Sequence, residues 1–457
     1  MSKSREQLQQ LSKEELIENH LLLEKRIQTL EKQVSDLRDL LSKQLPKPPK
    51  TSANSSVPPS RDEKANREPK PSKKRGPKVG HEGTSRSRIE PDETVECRVT
   101  ICGCCGEDLS QHPQHEAARR QVIDLPPIQP IVRDIVRYGC YCPSCETYQR
   151  AETPPEHEVS GLFGRNVEQL VLYLHYAHPL SYQRVQCILA DQYGLSISIG
   201  ALVNIVNRTQ ERVEIVAQSI RQQVRQADVI GSDETGARVD GINQWQWVFQ
   251  TPDLAYFVII ASRASEVITT VLADAVPQVW VSDLLSSQLK HPADAYQVCL
   301  AHQVRDLQYV IDHDHCSWAS NMQTLFYDVL TLTQNRLADN FDTQARDLHE
   351  RLDRLLETYP TNEDSQRLWR RYRKHCDALL LCLRRDDVPP TNNASEQALR
   401  NSVIYRKVTG GFRTDWGAEV YANFISIIET ARRQGQNIAD TLATILASQP
   451  AFSWQGE

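Results

Sequence analysis

Three acids at widely separated positions carry the chemistry that this sequence offers. Asp233 lies in Val229-Ile-Gly-Ser-Asp-Glu-Thr-Gly-Ala-Arg-Val239, a strand-like run with a second acid, Glu234, beside it. Asp283 ends the apolar run Val279-Trp-Val-Ser-Asp283, and Glu396 falls in Pro389-Pro-Thr-Asn-Asn-Ala-Ser-Glu396, a turn opening a helix. Carboxylates delivered by two strands and a helix can converge on hard divalent cations, which take oxygen ligands and keep several waters. Two Mg²⁺ (or Mn²⁺) ions about 4 Å apart clamp the attacking and leaving oxygens of a phosphodiester. Asp233 would touch both ions, and Asp283 and Glu396 would each complete one.

Each acid also has a structural alternative. Asp233 could serve a turn and Asp283 a strand end, while Asn393-Ala-Ser-Glu396 reads as a capping box with Asn393 as N-cap and Glu396 three residues on. Acids are common, and none of the three exceeds its alternative when taken singly.

The elements that must position these acids read as a multidomain α/β protein with a ribonuclease-H-like core. Strand-like runs at Ile230 to Val239, Gln244 to Gln250 and Ala255 to Ser262 are followed by a helix from about Ala264 to Ala275 and by the strand ending at Asp283. The first part of the core spans 227–310, including the helix that opens at Cys299-Leu-Ala-His302. A helical insertion at 311–385 has Leu325, Leu330, Leu348, Leu352, Leu355 and Leu356 as its expected buried positions. The second part, 386–435, carries Glu396, and 436–457 is a C-terminal helix and tail.

Ahead of the core, residues 1–45 hold a 4-3 repeat. Leu16, Leu23, Leu30 and Leu37 fill one heptad position and His20, Ile27, Val34 and Leu41 the other, the preference of a parallel two-stranded coiled coil. An amphipathic helix packed on its own chain is the alternative, but the proline-rich stretch that follows offers it no neighbour. Residues 46–90 have a linker's composition, with basic side chains including Lys73, Lys74 and Arg75 suited to tracking a phosphate backbone, or simply a solvated spacer. Residues 91–150 contain Cys102-Gly-Cys-Cys105 and Cys142-Pro-Ser-Cys145. Two such knuckles supply the four thiolates of structural Zn²⁺, although Cys97, Cys104 and Cys140 widen the choice of ligands. The apolar runs Val122 to Leu125 and Ile131 to Tyr138 between them read as the strands of a zinc ribbon. Residues 160–226 are helical, and the helix closed at Gly194 together with the one beginning near Ser196 resembles either a helix-turn-helix for DNA or a packed scaffold pair.

The totals set limits on this picture. A chain of 457 residues needs several domains, and 39% hydrophobic with 25% charged residues is ordinary for globular protein. No apolar run suggests a membrane span or a signal peptide. The net charge of −6 hides the basic stretch around residues 70–78. Seven of the twelve cysteines crowd between Cys97 and Cys145, which favours zinc in a reducing compartment over disulfides.

Three segments tie these parts together. Ser232-Asp-Glu-Thr-Gly-Ala-Arg238, Cys299-Leu-Ala-His-Gln-Val-Arg-Asp306 and Thr391-Asn-Asn-Ala-Ser-Glu-Gln-Ala-Leu-Arg400, with Arg406-Lys407 downstream, resemble the insertion sequence 66 family of bacterial transposases. The resemblance extends over the repeat, the basic Gly76 to Gly83 segment, the cysteine knuckles and the helical region, and covers nearly the whole chain. It implies a DDE-class transposase with Asp233, Asp283 and Glu396 as the triad, although the residues after Asp283 depart from the family's Asp-Gly-Tyr pattern and Asp274 and Asp294 compete for the second place. His302 would lie near the scissile phosphate or orient the insertion, and Arg400, Arg406 and Lys407 would grip phosphates. The implied partners are terminal inverted repeats, target DNA, a second copy of the chain and accessory proteins of the same element, in the cytoplasm at the bacterial nucleoid. A non-catalytic end-bridging protein and a nuclease without strand transfer are the alternative functions.

Overall fold

The computed structural model describes residues 20–30, 33, 50–51, 86–154, 157, 161–285 and 287–447. Residues 20–30 are helical, and Leu23, Ile27 and Leu30 on the expected seam are more than half exposed in the single chain. The rest of the heptad segment, Lys73, Lys74, Arg75 and the C-terminal tail lie outside the described residues.

In the cysteine-rich segment, β1 (Gly139–Tyr141) and β2 (Tyr148–Arg150) form a short antiparallel hairpin around Cys142 and Cys145. The runs Val122 to Leu125 and Ile131 to Tyr138, expected as strands, join no sheet. Val122, Ile131 and Val132 are 70%, 74% and 88% exposed, so no apolar face holds them in a sheet.

Helix α1 (Arg165–Leu172) continues into a π-helical turn at Tyr173–Ala177. Helix α2 (Tyr182–Tyr193) begins at Ser181, whose hydroxyl accepts from the Arg184 amide, and ends at Gly194 in the left-handed region, where glycine costs least. Helix α3 (Ile199–Arg225) buries Leu202, Ile205, Val206, Val213, Val216, Ile220 and Val224, a stripe at helical spacing. That stripe joins the apolar cluster that holds Trp247, Phe249 and Phe257 of the sheet. The helix pair is therefore built into the scaffold.

The five-stranded sheet has the order β5-β4-β3-β6-β7. Strands β3 (Val229–Val239), β4 (Ile242–Gln250) and β5 (Ala255–Ile260) run antiparallel. Asp240 and Gly241 join the first two with positive φ at both positions, as a two-residue hairpin needs. After α4 (Ser265–Leu272) come β6 (Val279–Ser282), parallel to β3, and β7 (Ala295–Val298), parallel to β6. Alternation along β6 divides two cores: Val279 and Val281 face the cluster of the helical insertion and Trp280 faces the other.

Helix α5 (Leu300–Asp314) leads from β7 into the insertion, which comprises α6 (Ser317–Leu332), α7 (Phe341–Glu357), α8 (Glu363–Lys374), α9 (Cys376–Leu379) and α10 (Leu381–Arg384). Leu325, Leu348, Leu352 and Leu356 are buried in it as expected, with Leu330 and Leu355 packed at its margin. The chain then returns to the sheet through α11 (Asn393–Thr409), α12 (Asp415–Arg433) and α13 (Ile438–Ala447). On α12, the hydroxyls of Ser426 and Thr430 accept the Phe257 and Ala255 amides of edge strand β5, at 2.9 and 3.1 Å. Those bonds satisfy edge amides that would otherwise invite another strand.

His175, in the π-helical turn, ties this scaffold to α11. Its Nδ1 lies 2.6 Å from the Leu180 carbonyl oxygen, its Nε2 lies 3.1 Å from the Tyr405 hydroxyl, and its ring stacks on Tyr182. Burial disfavours the charged ring and holds its pKa at about 4, against the opposing effect of the Leu180 carbonyl. A histidine depressed in the fold binds its proton more readily once unfolded, so its contribution is complete above the unfolded value of about 6.5 and is lost as pH falls toward 4. Between pH 7 and pH 4.5 it should cost about 2–3 kcal/mol. Urea midpoints at the two pH values should show a smaller acid loss in His175→Gln than in wild type, and equal losses would refute the assignment.

Candidate active site

Strand β3 carries Asp233 at the centre of the sheet, and the side chains on its faces alternate. Gly231, two residues earlier on the same face, looks onto the first turn of α11. A Cβ built there would lie 3.1 Å from both Asn392 Oδ1 and Ser395 Oγ. The missing side chain lets the helix approach, and Asp233 therefore opens toward the turn that bears Glu396.

Asn392 holds that approach in register. Its Nδ2 donates to the Ser232 carbonyl at 2.7 Å, its Oδ1 accepts from the Ser395 hydroxyl at 2.6 Å, and its backbone N–H donates to Cys299 Sγ at 3.1 Å. One buried residue, through its side chain and its backbone N–H, thus ties β3, the start of α5 and the start of α11 together. The capping box weighed as the alternative role for Glu396, with Asn393 as N-cap, does not form. Asn392 is the N-cap residue, no side chain bonds the free amides, and the Glu396 side chain is left for the cleft.

Glu396 Oε1 lies 3.5 Å from Arg305 Nη2 and 3.6 Å from His302 Nδ1, close enough for attraction. It nevertheless has no hydrogen-bond partner among the described residues. An acceptor in a cleft without a donor is a natural cation ligand. Glu234 is the opposite case. Arg263 donates to its Oε1 at 2.5 and 2.9 Å, and the same guanidinium stacks on Trp245. The carboxylate directly beside Asp233 is thus consumed by a structural ion pair.

Asp283 follows the last residue of β6, where its Oδ1 accepts the Leu285 amide at 3.2 Å and Leu284 takes a positive φ. Burial raises the Asp233 carboxyl well above the usual range, and the negative charges of Glu234, Asp283 and Glu396 raise it further. These are the carboxylates that reach Asp233, whereas Asp274 and Asp294 are exposed. Several acids crowded together in a low dielectric await compensating positive charge, and an oxygen-seeking divalent cation fits the donor set.

On α11, helical spacing sets Arg400 and Lys407 within about 40° of Glu396, about 6 and 16 Å along the axis. Both are exposed. Arg406 points elsewhere and is half-buried, its guanidinium destabilised by desolvation. The cysteine knuckles share one geometry: the Cys102 amide bonds the Glu107 carbonyl at 2.8 Å and the Cys142 amide the Thr147 carbonyl at 2.9 Å, with positive φ at Gly106 and Glu146. Backbone and side-chain hydrogen bonds lower the Cys102 and Cys145 thiols, the sense that suits a metal ligand. The two pairs do not gather into a single group of ligand atoms within 4.8 Å of one another.

Arg305 and Asn392 were not singled out from the sequence as site residues. Both lie inside segments whose resemblance was noted, Arg305 three positions beyond His302 and Asn392 four before Glu396, but their role needs tertiary neighbours to be seen.

An α/β sheet scaffold stands behind these acids, and comparison with known families identifies the scaffold. The family described as Transposase IS66 family matches residues 160–420, more than half of the chain. A second, described as the zinc-finger binding domain of transposase IS66, matches residues 100–146 and so spans both knuckles. The chain belongs to the IS66 family of transposases. No curated protein matches it. Among the described residues no helix is long and apolar enough to cross a membrane.

Proposed function

We propose that this family member is a DDE-class enzyme that binds the ends of its insertion sequence, cuts the DNA and joins the freed 3′-hydroxyl to a target. The observation that carries the reading is that the charges of Asp283 and Glu396 reach Asp233 and help to raise its carboxyl, while the three acids do not gather their ligand atoms within 4.8 Å of one another. The strand order, three antiparallel strands followed by two parallel ones, is that expected of a ribonuclease-H-like core. Mg²⁺ or Mn²⁺ held by the three acids would supply an activated water and neutralise charge at the phosphate. Asn392 and Gly231 keep Glu396 within reach of Asp233. Arg400 and Lys407 offer phosphate contacts on the face of α11 that carries Glu396, while half-buried Arg406 is a weaker candidate than the sequence suggested. Lys73, Lys74 and Arg75 would add affinity that falls with salt.

Cys102, Cys105, Cys142 and Cys145 are the ligands we assign to structural Zn²⁺, the two knuckles closing on the ion when it is present. The exposed seam of Leu23, Ile27 and Leu30 supports pairing of two chains through the N-terminal helix. Deleting residues 1–45 should abolish the pairing of two DNA ends in a gel-shift assay while single-end binding survives, and unchanged pairing would remove the coiled coil from the account.

The deciding experiment is cleavage and strand transfer on DNA carrying the element's ends, with Mg²⁺ and with Mn²⁺. Joined products support the reading. Nicked DNA that never joins a target points to a nuclease, and binding without cleavage to an end-bridging protein.

A further inference from the structure

We propose that Cys299, His302 and Glu396 form a second, soft-metal site, a thiolate, imidazole and carboxylate set suited to Zn²⁺, and that filling it withdraws Glu396 from the acidic cleft. The three ligand atoms lie within 4.8 Å of one another. His302 Nδ1 is 3.4 Å from Cys299 Sγ and 3.6 Å from Glu396 Oε1. Zn²⁺ bond lengths of about 2.0–2.3 Å set tetrahedral nitrogen–sulfur and nitrogen–oxygen edges of about 3.4–3.6 Å. The ligands therefore stand close to the spacing that the ion requires.

Chain geometry explains how they meet. Cys299 is the N-cap residue of α5 and His302 lies in its first turn, so the pair is local. Glu396 arrives from the first turn of α11, which Asn392 fastens to the same cysteine. The Asn392 amide donated to Cys299 Sγ would persist in the metal-bound state and stabilise the thiolate, as outer-shell donors do. Glu396 Oε1, without a hydrogen-bond partner, is the acceptor that such an ion would engage. Binding forms bonds to sulfur, nitrogen and oxygen and releases the thiol proton to solvent. Three protein ligands leave a fourth position for water. Among the described residues Arg305 is the cation paired with Glu396, and its side chain, 28% exposed, can turn outward.

Donor type separates this site from the acidic cleft. Mg²⁺ has little use for sulfur, whereas Zn²⁺ takes all three donors. Because Glu396 cannot serve both, Zn²⁺ acts as an inhibitor of the Mg²⁺-dependent reaction. That consequence, unlike the site itself, rests on the proposed role of Glu396.

The test uses full-length wild type, Cys299→Ser and His302→Gln, each with its cysteine knuckles intact. Zinc content after equilibration and the near-ultraviolet thiolate band on Co²⁺ substitution are the readouts, with thermal melts of the metal-free chains confirming folding. Wild type should bind one equivalent more than either variant and show the stronger cobalt–thiolate band. Equal stoichiometry and equal spectra would overturn the site. In the cleavage assay, Zn²⁺ added over Mg²⁺ should suppress wild type at least tenfold more than Cys299→Ser. Binding of the extra equivalent without differential inhibition would sustain the metal site and overturn its regulatory role. Binding in a chain that shows no Mg²⁺-dependent cleavage would sustain the site and overturn the proposed function instead.

Discussion

Asp233→Asn should abolish DNA cleavage and strand transfer while leaving binding to the element's ends intact, and Asp283→Asn and Glu396→Gln should do the same. Each change keeps the shape of the side chain and removes one negative charge from a cleft where burial already raises the Asp233 carboxyl. An amide is a poor ligand for a hard cation, so the loss falls on metal affinity and on charge stabilisation at the phosphate. Several kcal/mol of transition-state stabilisation corresponds to about 10³-fold in rate. Relief of the carboxylate repulsion should leave the Asp233→Asn fold at least as stable as wild type, so a drop in activity without a drop in thermal midpoint separates chemistry from folding. The measurement is single-turnover cleavage of end-bearing DNA by wild type and the three variants. Asp283→Asn retaining activity would move the second acid to another residue, and Glu234→Gln serves as the contrast, since its carboxylate is held by Arg263.

How far the sequence alone leads differs from element to element. Strands β3 to β6 were legible because β-branched and aromatic residues alternate between polar turns, and the Asp240-Gly241 turn marks its own hairpin. Strand β7 was not legible. It is four residues long with a buried glutamine, Gln297, whose side chain pairs with the Leu379 carbonyl and the Cys382 amide of the insertion. A buried polar residue that depends on distant chain for part of its hydrogen bonding gives no strand signal. The apolar runs beside the knuckles failed in the other direction, since alternation and β-branching predict a strand only where something covers its apolar face.

Glu396 shows the limit at the site itself. Its place in the first turn of a helix suits a capping box as well as a metal ligand, and local sequence cannot separate the two. Asn392 separates them in three dimensions by taking the N-cap position and turning its amide to β3 and Ser395 instead. Neither that contact nor the ion-pairing of Glu234 by Arg263, twenty-nine residues away, leaves a trace in local spacing. Among local signals, only the resemblance of the three motif segments, and not periodicity, singles out Glu396 as a candidate.

Gly231→Ala is the second large effect to expect, from the addition of a single methyl group. The new Cβ would sit 2.3 Å from Gln250 Nε2 and 3.1 Å from Asn392 Oδ1 and Ser395 Oγ. None of these can yield freely. Gln250 Oε1 accepts from Arg433 at 2.8 Å, and Asn392 is held by Ser232 and Ser395. Overpacking at such a contact costs about 1–3 kcal/mol. The cheapest relief is retreat of the first turn of α11 from β3, which draws Glu396 away from Asp233. A displacement of about 1 Å at a reacting centre can cost about 10²-fold in rate. Gly236→Ala, on the same strand, meets nothing within 4 Å and should behave as wild type in both stability and cleavage. Denaturant midpoints and single-turnover cleavage measured on the pair would separate the two contributions. If Gly231→Ala cleaves as fast as Gly236→Ala, the close approach of α11 to β3 is not what sets the spacing of the acids, and the positioning role of Asn392 falls with it.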